Sequence, residues 1–303
     1  MTVAAVVPGA DTVLGHAIIE GLVQIPGMAV RTLTPEPGLP LRDSSFADKN
    51  VMPVLCVASK RDTVGAAIAG ADIVVAVLDH AQAEAADVLQ LEMMIDEAIQ
   101  KHVKLFILVL PALHGEICDP IFDILDKLED SSLCWVGLQT SFLMESLIQD
   151  RVVVDTVASI HIDVPVLNPE MGIFWTHANT NVKSAIERIV YFWETGGAPA
   201  DFFQKLHLLA VEVASLSQVA ELIEKRANKP VKMITRPEAR TATITRALER
   251  TNEFKLKWDW PDLPTETMKQ IGVSASMCLD CFVEHELIPT LSSEAATSRL
   301  APL

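Results

Sequence analysis

Apolar positions in the first half of the chain follow two alternating patterns. Short runs rich in Val and Ile, apolar on both faces of an extended backbone, occupy residues 3–7, 28–33, 52–57, 72–78, 103–110 and 133–138. Between them lie stretches such as 14–24 and 84–101, where apolar residues recur at three- and four-residue spacing, the period of an amphipathic helix. Strands that lack a polar face must be covered on both sides, and helices between successive strands supply the cover. Right-handed crossovers then predict an α/β, Rossmann-type, doubly wound parallel sheet.

After about residue 150 the alternation loosens. Residues 152–160, 164–167 and 206–213 read as strands, and 182–193 as a helix stopped by Gly196-Gly197. Ser215-Leu-Ser-Gln218 has the form of a capping box opening a helix to Arg226, after which Asn228-Lys-Pro230 turns into a strand over 231–235. The organisation expected is a Rossmann-like domain over 1–150 and a smaller mixed α/β, substrate-binding C-terminal subdomain over 151–303, with the chain able to cross back to the sheet. Such a subdomain sits over the carboxyl edge of the strands, where ligands bind in open α/β sheets. Residues 292–303 are small and polar, and are expected to fray.

Charge narrows the function classes. The 303 residues carry 24 Lys+Arg against 40 Asp+Glu, a formal charge of -16, which opposes a phosphate backbone and predicts no nucleic-acid partner. The longest strongly apolar stretch, 103–113, contains Lys104 and is shorter than the roughly 20 residues a spanning helix needs, so no membrane partner is expected. MTVAAVVPGAD reads as a buried strand rather than a signal peptide. Five cysteines, an odd and sparse set, suit thiols in a reducing compartment, and a cytoplasmic location is expected.

The first strand runs into Pro8-Gly9-Ala10-Asp11-Thr12-Val13-Leu14-Gly15-His16. A dinucleotide-binding turn in this place has three glycines: for the turn, for approach of the pyrophosphate, and for helix–strand packing. Here Gly9 and Gly15 are present, Thr12 stands at the middle position, and Asp11 lies at the positive end of the helix. A carboxylate about 4 Å from a phosphate charge is repelled by roughly 4 kcal/mol at an effective dielectric near 20. Gly9, Asp11, Thr12 and Gly15 are therefore read as a vestigial cofactor loop. The alternative is that Asp11 caps the helix and the cofactor binds regardless.

With further stretches, this loop resembles the NmrA-like branch of the atypical short-chain dehydrogenases/reductases. Gly9–Gly15 is similar to G-A-T-G-x-x-G, Val30-Arg-Thr-Leu-Thr-Pro-Glu-Pro37 to V-R-A-L-V-R-D-P, and Ala67-Ile-Ala-Gly-Ala-Asp72 to A-L-x-G-A-D. Val103-Lys-Leu-Phe-Ile107 resembles V-K-x-F-V, and Ser141-Phe-Leu-Met-Glu-Ser-Leu147 resembles P-x-x-F-x-E-N-L. The resemblance implies the fold over residues 2–250. It also exposes departures: the arginine that holds an NADP ribose phosphate falls on Pro35, and the acidic residue after the third strand falls within Cys56-Val57-Ala58. The reductase lysine falls on Ile121, with Lys127 the nearest lysine, and the single tyrosine, Tyr191, is followed by Thr195 where a lysine is expected.

The remaining chemistry lies at strand ends. Asp79 and His80 after the fourth strand, and His114 after the fifth, are candidate acid–base residues, because carboxylate and imidazole groups in an apolar cleft are tunable toward neutral pH. Glu116, Phe142, Met144, Trp175 and His177 are candidate substrate-binding residues, an apolar lining with a few polar groups. Each also has a plain structural explanation, as a helix cap, a loop residue or core packing. Cys278-Leu-Asp-Cys281 with His285 lacks the second ligand pair of a structural zinc site, so no metal is expected.

The leading expectation is a cofactor-free acid–base enzyme performing cyclisation, isomerisation or hydroxyl-to-alkene addition on a small hydrophobic secondary metabolite. The alternatives are an NADPH-dependent reductase, with Arg31 and Lys60 recovering phosphate binding, and a non-enzymatic, dinucleotide-sensing regulator.

Overall fold

The computed structural model of the chain describes residues 2–7, 12–34, 46, 50–57, 59–78, 85–110, 118–140, 142–149, 152–156, 158–164, 170, 172–235 and 278–292. In chain order the strands are β1 (Thr2–Val7), β2 (Met28–Thr34), β3 (Val51–Leu55), β4 (Ile73–Val77), β5 (Leu105–Leu110), β6 (Trp135–Gln139), β7 (Phe142–Leu143), β8 (Val153–Asp155), β9 (Ile160–Val164), β10 (Ile173–Thr176), β11 (Leu206–Leu208), β12 (Glu212–Ala214) and β13 (Val231–Thr235). The main sheet has seven strands in the order β11-β6-β5-β4-β1-β2-β3, every pair parallel. β1 sits between β2 and β4, so the winding reverses there and opens a crevice at the carboxyl edge.

Burial on both faces explains the unbroken apolar runs. Along β5, Leu105, Ile107 and Val109 point into one core and Phe106, Leu108 and Leu110 into the other. The first core is closed by α1 (Val13–Gln24), the short α5 (Ser146–Gln149) and α6 (Lys183–Thr195). The second is closed by α2 (Arg61–Ile68), α3 (Ala85–Gln100) and α4 (Cys118–Glu129). Among the described residues no helix is long and apolar enough to cross a membrane.

The subdomain sits on the first face. β7 pairs in parallel with β10, which pairs antiparallel with β12. A second small sheet has the order β13-β9-β8. The strand expected over 152–160 is broken by a turn in which Thr156 Oγ1 donates to Ser159 O and accepts from Ser159 N, so β8 and β9 fold back antiparallel. The helix α7 (Leu216–Ala227) opens with the reciprocal Ser215–Gln218 capping box, and α6 ends at Gly196 with φ 66°.

The run 206–213 divides. β11 joins β6 in the main sheet, β12 joins β10 in the subdomain, and the short link bonds to both. Leu209 N donates to Gln139 O at 2.8 Å, Val211 N donates to Trp175 O at 2.9 Å, and Thr176 Oγ1 donates to Leu209 O. Residues beyond 151 thus contribute a strand to the main sheet, and this link ties the two layers together.

α1 and α6 touch closely at Gly21. A Cβ there would lie 2.8 Å from the carbonyl oxygen of Lys183 and 3.5 Å from Ile186 Cβ. A backbone carbonyl cannot rotate away, so the helices would have to separate. The Gly21→Ala variant should lose roughly 1–3 kcal/mol, despite a helix-propensity gain of about 1 kcal/mol. Urea denaturation checks this: an unchanged or higher midpoint would show that the contact does not set the spacing.

Candidate functional site

The crevice is bounded by the carboxyl ends of β1 and β4 and by the N-terminus of α1. Gly9 and Asp11 lie outside the described residues, as do Asp79, His80, His114 and Glu116, so the acid–base candidates have no structural counterpart among them. Thr12 and Gly15 are described. Thr12 is the N-cap of α1 and its Oγ1 accepts from Gly15 N at 3.0 Å. Such a cap is worth about 1 kcal/mol, and it consumes one donor of the helix's first turn. The neighbouring first-turn N–H groups have no intrahelical acceptor, and together with the helix dipole they favour an anion at this edge.

The β2 side of the crevice is less complete. Arg31 is already engaged by the protein: its Nη1 donates to Ala67 O at 3.2 Å and Ala69 O at 2.7 Å, closing the end of α2. Thr32, next in the strand, is buried, and its Oγ1 has no protein partner. Lys60 is exposed at the start of α2. The donor set thus fits a pyrophosphate at α1 but offers, among the described residues, no fixed guanidinium for a ribose phosphate.

The side chains that resembling reductases would use lie elsewhere. Ile121 is fully buried in the second core. Lys127 pairs with Asp96 at 2.7 Å, between α4 and α3. Tyr191 is 51% exposed on α6, with the Arg188 guanidinium 5.0 Å from its ring centre.

The substrate-binding candidates are brought together, mostly as core. Met144 is fully buried, and Trp175 is buried with Nε1 donating to Ala214 O at 2.9 Å. Phe142 is half-buried, its ring 6.4 Å from that of Trp175. His177 follows β10 and starts a π-helical turn, Ala178–Val182, a rare element often found at functional sites. Its Nδ1 accepts from Thr180 N at 3.1 Å, which puts the neutral ring's proton on Nε2. That nitrogen lies 3.0 Å from Glu286 Oε1 and 3.5 Å from Glu145 Oε1.

The cluster extends beyond what the sequence indicated. Glu145 is 5% exposed, accepts from Asn179 N at 3.2 Å through Oε1, and has no protein partner at Oε2. Burial raises its carboxyl pKa, against the opposing pull of His177. Asn181 Oδ1 accepts from His177 N at 2.9 Å, while its Nδ2 is buried without a partner. Glu286 belongs to a second π-helical turn, Val283–Leu287, which continues the C-terminal helix α8 (Leu279–Phe282). Glu145 stood inside the stretch compared with P-x-x-F-x-E-N-L; nothing in the sequence marked Asn181 or Glu286.

No protein-family profile matches the chain. No curated protein matches it in sequence. Solved structures do match in fold. NmrA, a negative transcriptional regulator, superimposes with a TM-score of 0.72 at 14% identity, covering 97% of this chain and 98% of that one. The same protein in complex with NADP gives a TM-score of 0.69 at 14% identity, with 97% of each chain covered. An NADPH-dependent quinone oxidoreductase from Escherichia coli, complexed with NADPH, gives 0.66 at 17% identity, covering 94% of this chain and all of that one. These findings correct the expectation of a cofactor-free fold: the similar proteins carry NADP or NADPH, which points to a dinucleotide rather than to none. Of the loop itself, Thr12 and Gly15 are described, and the helix terminus that they form and the strand reversal beside it are both in place. The chain therefore shares the fold of NmrA and of the quinone oxidoreductase.

Proposed function

We propose that this chain binds a nicotinamide dinucleotide in the crevice above β1 and β4 and acts as a non-catalytic, dinucleotide-responsive regulator. The observation that carries this reading is the disposition of the would-be proton donors. Tyr191 faces solvent and Lys127 is paired on the other side of the sheet, away from the carboxyl edge. NmrA, whose fold this chain shares, is described as a negative transcriptional regulator and has been solved with NADP and with NAD.

In this reading the first turn of α1, from Thr12 to Gly15, holds the pyrophosphate through backbone N–H groups, and Thr32 Oγ1 is the polar atom offered on the ribose side. When bound, the nicotinamide ring supplies hydride exchange, and its oxidation state is what a regulator would sense. His177 ties the subdomain to the C-terminal helix through Glu286, while the π-helical turn that follows it packs on α1. Dinucleotide at the end of α1 is thereby linked to the placement of α8 by one continuous set of contacts.

A second reading has support in Glu145, a buried carboxyl group with a raised pKa and one unpartnered oxygen. Such a group suits acid–base turnover of a small hydrophobic metabolite alongside the dinucleotide.

Calorimetric titration with NAD+, NADH, NADP+ and NADPH distinguishes the readings. Binding at roughly micromolar Kd is expected, with the phosphorylated and unphosphorylated forms within about threefold, because Arg31 is committed to α2. Incubation with NADPH and quinones or hydrophobic carbonyl compounds should give no substrate-dependent loss of nicotinamide absorbance. Absence of binding at millimolar dinucleotide would overturn the proposal, and turnover would replace it with the enzymatic reading.

Glu145 generates a separate prediction. A carboxyl pKa raised in the folded state means that the native protein keeps a proton the unfolded chain has released. Its stabilising contribution is full below the ordinary glutamate range and is lost as pH rises through the raised value. Glu145→Gln, uncharged throughout, should gain Tm relative to wild type on going from about pH 4 to about pH 7.5. A difference in Tm that is constant with pH would contradict the burial of this charge.

A further inference from the structure

Cys278 and Cys281 flank the first turn of α8, with their Sγ atoms 3.2 Å apart. Cys278 is the N-cap, and its sulfur accepts from Cys281 N at 3.4 Å. Both residues are half-buried, within reach of a solvent-borne reagent. The other described cysteines differ. Cys56 is buried and desolvation pushes its thiol up to about 11, and burial also raises Cys134, whereas Cys281 is raised chiefly by its hydrogen bond with Cys278, the contact that pairs the two sulfurs. Thiols held protonated in apolar surroundings are poor nucleophiles. Among the described residues no group of three or more His, Cys, Asp or Glu side chains is placed to hold a metal ion.

We propose that Cys278 and Cys281 form a reversible redox dithiol that exchanges with low-molecular-weight disulfides of the glutathione class. Cys278, whose sulfur receives a backbone N–H, attacks as the thiolate after its proton leaves to solvent. The S–S bond of glutathione disulfide breaks, one glutathione thiolate departs, and a mixed disulfide forms at Cys278. Cys281 then loses its proton and attacks Cys278 Sγ, releasing the second glutathione thiolate and closing the internal disulfide. Two electrons pass from the dithiol to glutathione disulfide, and excess glutathione reverses both steps.

The position gives the modification a consequence. The same turn is anchored by Leu279 N donating to Glu212 at 2.9 Å, and Arg226 binds Asp280 at 2.5 Å and Glu284 at 2.9 Å. Closing the pair stiffens the start of the helix that carries Glu286 to His177. The proposal does not depend on dinucleotide binding.

The test uses the full chain, equilibrated in buffers of varying reduced-to-oxidised glutathione ratio, quenched with acid, unfolded and alkylated with N-ethylmaleimide. Reduced protein should take five labels, one for each of its five cysteines, and oxidised protein should lose two of the five, with peptide mapping joining 278 to 281. Cys281→Ser should instead trap a glutathione adduct on Cys278, and Cys278→Ser should keep all four of its labels. Five labels throughout, or a disulfide mapped to any other pair, would overturn the proposal. The wild-type mapping decides the matter even if a variant fails to fold.

Discussion

Everything in this molecule depends on a parallel sheet that must be covered on both faces. The requirement places α1 and α6 on one side and α2, α3 and α4 on the other. It also forces the winding to reverse at β1, because helices cannot cover both faces while the chain winds in one direction. The crevice at the carboxyl edge follows from that reversal. It exists whatever residues line it, which is why altered glycines in the loop leave the fold, and the anion-favouring end of α1, in place.

The subdomain depends on the sheet in turn. Its link to the main layer is the stretch between β11 and β12, where Leu209, Val211 and Thr176 make hydrogen bonds to both layers. The same region sets His177 at the start of a π-helical turn, where its two ring nitrogens are engaged by Thr180 on one side and by carboxylates on the other. The buried imidazole is satisfied only while this geometry is kept, since a polar group left without a partner at this depth is costly. The cluster therefore joins β7, β10 and the C-terminal helix into one unit.

Much of the fold was legible in the sequence because period and burial are local signals. The six apolar runs, the helix α1, the Gly196 stop and the Ser215–Gln218 box could be read from neighbouring residues alone. The division of 206–213 into two strands was not, because the choice between β6 and β10 as partners is made over long range. The candidate site was read less well for the same reason. Thr12 signalled a missing glycine, and its role as an N-cap was hidden behind that comparison. Met144 and Trp175 have the apolar character of a pocket lining, yet they sit within the core. Glu286 lies more than a hundred positions from His177, and only folding brings the two together.

The central claim is that a dinucleotide seats at the start of α1 and is felt at the C-terminal helix. Amide hydrogen exchange of the full chain, with and without saturating NAD+, tests both parts at once. The account predicts slower exchange over residues 12–20, which include the first turns of α1, together with a change over 177–182 and 279–292. Unaltered exchange in all three segments would contradict it, and protection confined to 12–20 would leave binding without the proposed link to α8.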